Sequence, residues 1–163
     1  GWSVSGAGDV NGDGFADVIV GAPSSSPDGR SRAGVACIIF GKASGFTDVD
    51  MLGFNSSDST GFMVKGAKRQ DYLGFSVSGA GDVNGDGFAD VIVGAPSSSP
   101  DGRSRAGVAC IIFGKASGFT DVDMLDFNSG NSTGYIIWGA ADHDNLGSSV
   151  SGAGDVNGDG RDD

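Results

Sequence analysis

Asp9-Val10-Asn11-Gly12-Asp13-Gly14-Phe15-Ala16-Asp17 runs directly into Val18-Ile19-Val20-Gly21-Ala22-Pro23. A loop crowded with oxygen-bearing side chains is thus joined to a short β-branched run that stops at a proline. The same join returns at Asp82–Asp90 and Val91–Pro96, and the loop alone returns at Asp155–Asp163. In every copy, side-chain oxygens hold positions 1, 3, 5 and 9, and glycine holds position 6. This is the first three-quarters of a calcium loop of the EF-hand kind. Ca²⁺ takes about 6–8 oxygens at roughly 2.3–2.6 Å, alternating positions aim into one concavity, and the glycine permits the sharp turn. The flanks, however, are Val- and Ile-rich strands instead of helices. Position 12, where an EF-hand carries its bidentate Glu, is Val20 in one copy and Val93 in the next. The reading is a calcium site on a β-hairpin. A plain Asn-Gly or Asp-Gly turn accounts for one dipeptide. It does not account for three carboxylates within nine residues, which repel one another unless neutralised.

The candidate ligands are the side chains of Asp9, Asn11, Asp13 and Asp17 with the carbonyl of Phe15. The second set is Asp82, Asn84, Asp86, Phe88 and Asp90. The third is Asp155, Asn157, Asp159, Arg161 and Asp163, where Arg161 replaces the Phe and no second strand follows Asp163. A missing twelfth ligand leaves room for water and predicts extracellular-grade affinity, on the order of 10⁻⁴ M or weaker. At about 1 mM calcium each such site adds only about 1–1.5 kcal/mol.

Outward from the loop, the chain superposes on itself at a shift of 73 residues. Gly1–Asp50 matches Gly74–Asp123 except for Trp2 against Phe75, and 61 of 73 positions agree over the whole period. The units are therefore 1–73, 74–146 and the start of a third at 147–163. The differences gather where Phe62-Met63-Val64-Lys65 becomes Tyr135-Ile136-Ile137-Trp138 and Lys68-Arg69-Gln70 becomes Ala141-Asp142-His143. Each period holds four apolar runs: Trp2–Gly6, Val18–Ala22, Gly34–Gly41 and Gly61–Lys65 in the first, separated by turn residues. Runs two and three are apolar on both faces, so both faces should be covered. Four short strands per repeat in sheets covered on both sides describe β-propeller blades. The expected fold is all-β, with two complete four-stranded antiparallel blades plus the first strand of a third.

Composition agrees. All 21 acidic residues are Asp, with no Glu, four Leu and one Gln. A chain so poor in straight-chain residues excludes helix bundles and coiled coils. The net charge of −11 argues against nucleic acid and anionic membranes, and no apolar run is long enough to span a bilayer. Cys37 and Cys110 lie inside apolar runs and read as buried thiols.

The order Leu73-Gly74-Phe75-Ser76-Val77, then the metal loop, then Gly94-Ala95-Pro96 resembles the FG-GAP repeat of integrin α-subunit propellers and related surface proteins. Gly-Ala-Pro is literal in both repeats, whereas Phe-Gly reads Leu73-Gly74 and Leu146-Gly147. The resemblance implies a seven-bladed ring with calcium in hairpin loops on the face opposite the ligand surface. It implies that the surface comes from Ser24–Arg32, Lys68–Leu73 and their copies. Two blades and one strand do not close a ring, so a fragment of a longer chain, or self-association, is expected. The function expected is an extracellular or cell-surface module for adhesion or recognition of a protein or glycan ligand, without catalysis. The alternatives are a lectin-like propeller, using Tyr135 and Trp138, or the non-catalytic part of a secreted hydrolase. His143 on its polar loop reads as solvated. Asn55-Ser56-Ser57 and Asn131-Ser132-Thr133 fit the glycosylation acceptor pattern.

Overall fold

A computed structural model describes residues 1–45, 47–127, 129 and 133–163 of the chain. The first sheet holds β1 (Ser3–Gly8), β2 (Asp17–Ala22), β3 (Val35–Ile39) and β4 (Gly61–Lys65) in chain order. The second holds β5 (Ser76–Gly81), β6 (Asp90–Ala95), β7 (Val108–Ile112) and β9 (Gly134–Trp138). All of these neighbours pair antiparallel, and the registers of the two sheets match at the 73-residue shift: Val20 faces Cys37 as Val93 faces Cys110. The four runs per repeat fall on the four strands. In each repeat the first hairpin slips register between Gly6 and Gly8, or Gly79 and Gly81, just before the metal loop. Such a bulge re-aims the chain as it leaves the ladder.

The two sheets stand side by side, with β1 against β5. One apolar core runs through both, including Ile19, Ile38, Phe62, Leu73, Val91, Val93 and Ile112. Stacking decides what is covered. Val77 and Val91, which face the first sheet, are 7% and 0% exposed, whereas their copies Val4 and Val18 are 70% and 42% exposed. Runs two and three are therefore covered on both faces only where a neighbouring sheet lies alongside. The link between sheets is tied down by a parallel bridge from Gly34 to Leu73, repeated from Gly107 to Leu146. Gly34 has φ +86, and an added Cβ would run into the Leu73 carbonyl, so both conformation and space require glycine there.

Two features differ from the sequence reading. A short ninth strand, β8 (Val122–Asp123), leaves the second repeat and pairs parallel with β4 at the outer edge of the first sheet. The third unit, 147–163, forms its loop but no strand among the described residues. A strand is made by its ladder, and no strand among the described residues pairs with this segment as β2 pairs with β1. The segment still lies where the first strand of a repeat lies. Ser76 Oγ donates to the Gly147 carbonyl (2.7 Å) as Ser3 Oγ donates to that of Gly74 (3.0 Å).

Both cysteines are buried and unpaired. Burial pushes the Cys37 thiol up to about 11 and that of Cys110 up to about 12, so neither forms a reactive thiolate near neutral pH.

Candidate metal centre

Each loop is organised by its first aspartate. Asp9 accepts from the backbone N–H of Asp13 (3.0 Å) and Gly14 (2.9 Å). Asp82 accepts from Gly85, Asp86 and Gly87, and Asp155 from Gly158, Asp159 and Gly160, at 2.7–3.1 Å. The asparagine at position 3 and the aspartate at position 5 form further local turns. Asn11 Oδ1 accepts from Asp13 N (3.0 Å), and Asp13 Oδ1 accepts from Phe15 N (2.9 Å). The same bonds recur at Asn84, Asp86, Asn157 and Asp159. Side chains one to five therefore wrap one turn, because Asp and Asn readily bond backbone amides a few residues on.

Position 9 does something that the spacing did not announce. Asp17 is 1% exposed and Asp90 is fully buried. Asp17 accepts from Val10 N across the hairpin and from Gly41 N beyond β3, both at 2.8 Å. Asp90 likewise accepts from Val83 N (2.9 Å) and Gly114 N (2.8 Å). One carboxylate thus pins the loop to the end of the third strand. In the third loop Asp163 keeps the bond to Val156 N (2.9 Å) but is not enclosed. Burial pushes Asp90 up to about 6; the two amides pull it down, and Asp86 and Asp82 push it further up. Asp17 is raised for the same reasons, with Asp13 and Asp9 as the like-charged neighbours.

The structure does not gather these ligands into a coordination sphere. Among the described residues, no group of three or more His, Cys, Asp or Glu side chains could hold an ion. The physical reason lies in the bonds just described: the carboxylates are turned onto backbone amides, and Asn11 Nδ2 donates to Asp13 Oδ2 (2.9 Å). The donor set nevertheless fits a hard cation in kind. Every proposed ligand atom is an oxygen, each carboxylate oxygen bound to one amide has a second lone pair, and the loop carboxylates press on one another electrostatically.

The three loops stand in a row. Phe88, at position 7 of the second loop, rests on Gly12 of the first, and Arg161 rests on Gly85 of the second. Phe15 is left 40% exposed. At the opposite ends of the strands, the connections expected to form a ligand surface meet. Lys68–Tyr72 and Ser97, Ser99, Ser104 and Arg105 line a polar cleft of about 310 Å³. Asp71 is buried there and accepts from Lys68 N (2.8 Å). His143 is exposed, and its backbone N–H donates to the Ser104 carbonyl (2.8 Å). Asn55 uses its side chain locally, accepting from Ser57 N (2.9 Å) and donating to the Gly53 carbonyl (2.6 Å); Asn131 lies outside the described residues. No helix among the described residues is long and apolar enough to cross a membrane.

Comparison with known proteins matches the FG-GAP repeat family to residues 1–36 and 73–109. Bovine (Bos taurus) phosphatidylinositol-glycan-specific phospholipase D is 31% identical over 118 residues, covering 72% of this chain and 14% of that protein. Mouse (Mus musculus) integrin alpha-IIb is 31% identical over 143 residues, 85% of this chain and 13% of that protein. Integrin alpha-PS2 of Drosophila melanogaster is 40% identical over 91 residues, 56% of this chain and 6% of that protein. The chain spans 14% or less of the length of these relatives.

Proposed function

This chain is built from repeats of the FG-GAP family, and on that premise we propose that it is a calcium-stabilised, extracellular β-propeller module for adhesion or ligand recognition. The observation that carries the reading is the threefold loop, the same turn built three times from the same oxygen donors in neighbouring positions. Asp9, Asn11, Asp13 and Asp17 with the Phe15 carbonyl would hold one ion. Asp82, Asn84, Asp86, Asp90 and the Phe88 carbonyl would hold a second. The third loop offers Asp155, Asn157, Asp159, Asp163 and the Arg161 carbonyl. When bound, calcium supplies positive charge where carboxylates oppose one another.

The chain's own residues do the rest. Asp17 and Asp90 anchor their loops to the sheets, so a change in the loop is felt at the end of the third strand. The cleft at Lys68–Tyr72, with Arg105, offers cations and hydroxyls to a polar or acidic ligand. The likeness to a phospholipase D supports a second reading, in which such repeats form the non-catalytic part of a secreted hydrolase.

The test is calorimetric titration with calcium, followed by melting in calcium and in chelator. Binding heat and a melting temperature raised by about 3–5 °C per occupied site are expected at about 1 mM calcium. No heat and an unchanged melting temperature would sink the metal reading. A glycan array read beside a protein-ligand screen distinguishes a lectin from an adhesion module.

A further inference from the structure

Asp121-Val122-Asp123-Met124 and Asp48-Val49-Asp50-Met51 share one sequence and meet two fates. In the second repeat the segment crosses to the first sheet. Val122 and Asp123 lie parallel to Val64 and Lys65, and Met124 N donates to the Lys65 carbonyl (2.9 Å). Asp121 Oδ1 accepts from Ser56 N and Met63 N, both at 3.1 Å. Asp123 receives Arg30 Nη1 and Nη2 on its two oxygens, each at 2.7 Å. Phe119 stacks on Phe62 with centroids 4.9 Å apart. In the first repeat the copy stands exposed: Met51 is 46% exposed against 8% for Met124.

The seat on which β8 rests also has a copy. β9 ends the second sheet, with no strand on its outer edge among the described residues, and Ile137 and Trp138 are 42% and 47% exposed. Arg103, the copy of Arg30, donates instead to the Gly139 carbonyl (2.7 Å) and to Asp101 (3.2 Å), with its guanidinium 5.9 Å from the Trp138 ring centre. Its fork is not matched to a carboxylate as that of Arg30 is.

We propose that the outer edge of β9, together with Arg103, is a docking site for an extended Asp-Val-Asp-Met segment from a further repeat of this kind. The first sheet and its strap serve as the template. The same register places the Val beside Ile137 and the second Asp beside Trp138, within reach of Arg103. Such a partner adds a strand through main-chain bonds, and its alternate side chains supply selectivity. The bidentate Arg–carboxylate pair supplies geometry as well as energy. The occupant is a strap and not a whole blade, because 147–163 already fills the inner position beside β5. No metal-loop residue takes part, so this inference stands apart from the calcium reading.

The test adds a synthetic peptide of residues 117–127 to the isotopically labelled full chain and follows amide resonances. Saturable shifts at Ile136–Trp138 and Arg103 are expected, with β4 unmoved because its edge is filled. Arg103→Ala should weaken binding about tenfold, with Arg103→Lys in between because it keeps charge without the fork. A peptide carrying Asp121→Asn and Asp123→Asn should lose affinity on the unaltered chain, a result independent of whether any variant folds. Absence of saturable shifts at millimolar peptide overturns the proposal. So does equal binding by the Asn-substituted peptide or by Arg103→Ala.

Discussion

Val18 and Val91 have the same neighbours in sequence, yet one is 42% exposed and the other fully buried. Only the adjoining sheet differs. Val91→Ala should therefore cost about 2 kcal/mol, since the cavity it leaves is enclosed, and Val18→Ala less than about 1 kcal/mol. Denaturant titration of the two variants checks the contrast. Asp71 poses the same question for charge. Its copy Asp144 makes the matching bond, to Ala141 N (2.7 Å), but is exposed. Burial raises Asp71 above the ordinary 3.8, against the pull of Lys68 N and the Lys68 charge. A carboxyl with a raised folded value binds more protons folded than unfolded between the two values. Its contribution to stability is thus greatest at acid pH and falls as pH rises through the raised value. Asp71→Asn should flatten that part of the pH–stability curve, which denaturant midpoints followed from acid to neutral pH check. The neighbours of the two differ, Lys68-Arg69-Gln70 before Asp71 and Ala141-Asp142-His143 before Asp144, but the burial of Asp71 comes from what packs against the repeat and is not written in that stretch.

At the scale of the element, the strands were legible because short β-branched runs end at Gly and Pro, and four of them recur at one period. The metal loop was legible from its spacing. The anchoring work of Asp17 and Asp90 was not, because Gly41 and Gly114, whose amides they bind, lie 24 residues away. These two kinds of aspartate should separate by experiment. Asp90→Ala strands two amides and should destabilise by about 2–4 kcal/mol even in chelator. Asp13→Ala, on the exposed rim, should cost less than about 1 kcal/mol in chelator and remove most of the first loop's calcium-dependent gain. Equal losses from both in chelator would contradict the division. β8 was hidden for a related reason. Asp-Val-Asp occurs twice and pairs once, so its strand character belongs to the available edge and not to the three residues.

At the scale of the molecule, Trp2, Val4 and Val18 on the first sheet and Trp138 on the second are exposed, while the middle is closed. Ordered apolar faces of this kind favour association. Sedimentation of the chain should show concentration-dependent growth, and a strictly monomeric species at high concentration would count against sticky faces. Near-identity of the repeats has a kinetic consequence as well. β2 meets the same row of side chains on β3 or on β7, so the ladders themselves barely distinguish the native pairing from an exchanged one. The discrimination lies in the tether: residues 23–34 close the native hairpin, whereas residues 23–107 would have to close the exchanged one. Loop closure favours the shorter by only about 2 kcal/mol. Folding of this chain is therefore sorted by distance along the backbone, and the same strand offered by a neighbouring molecule competes on nearly equal chemical terms.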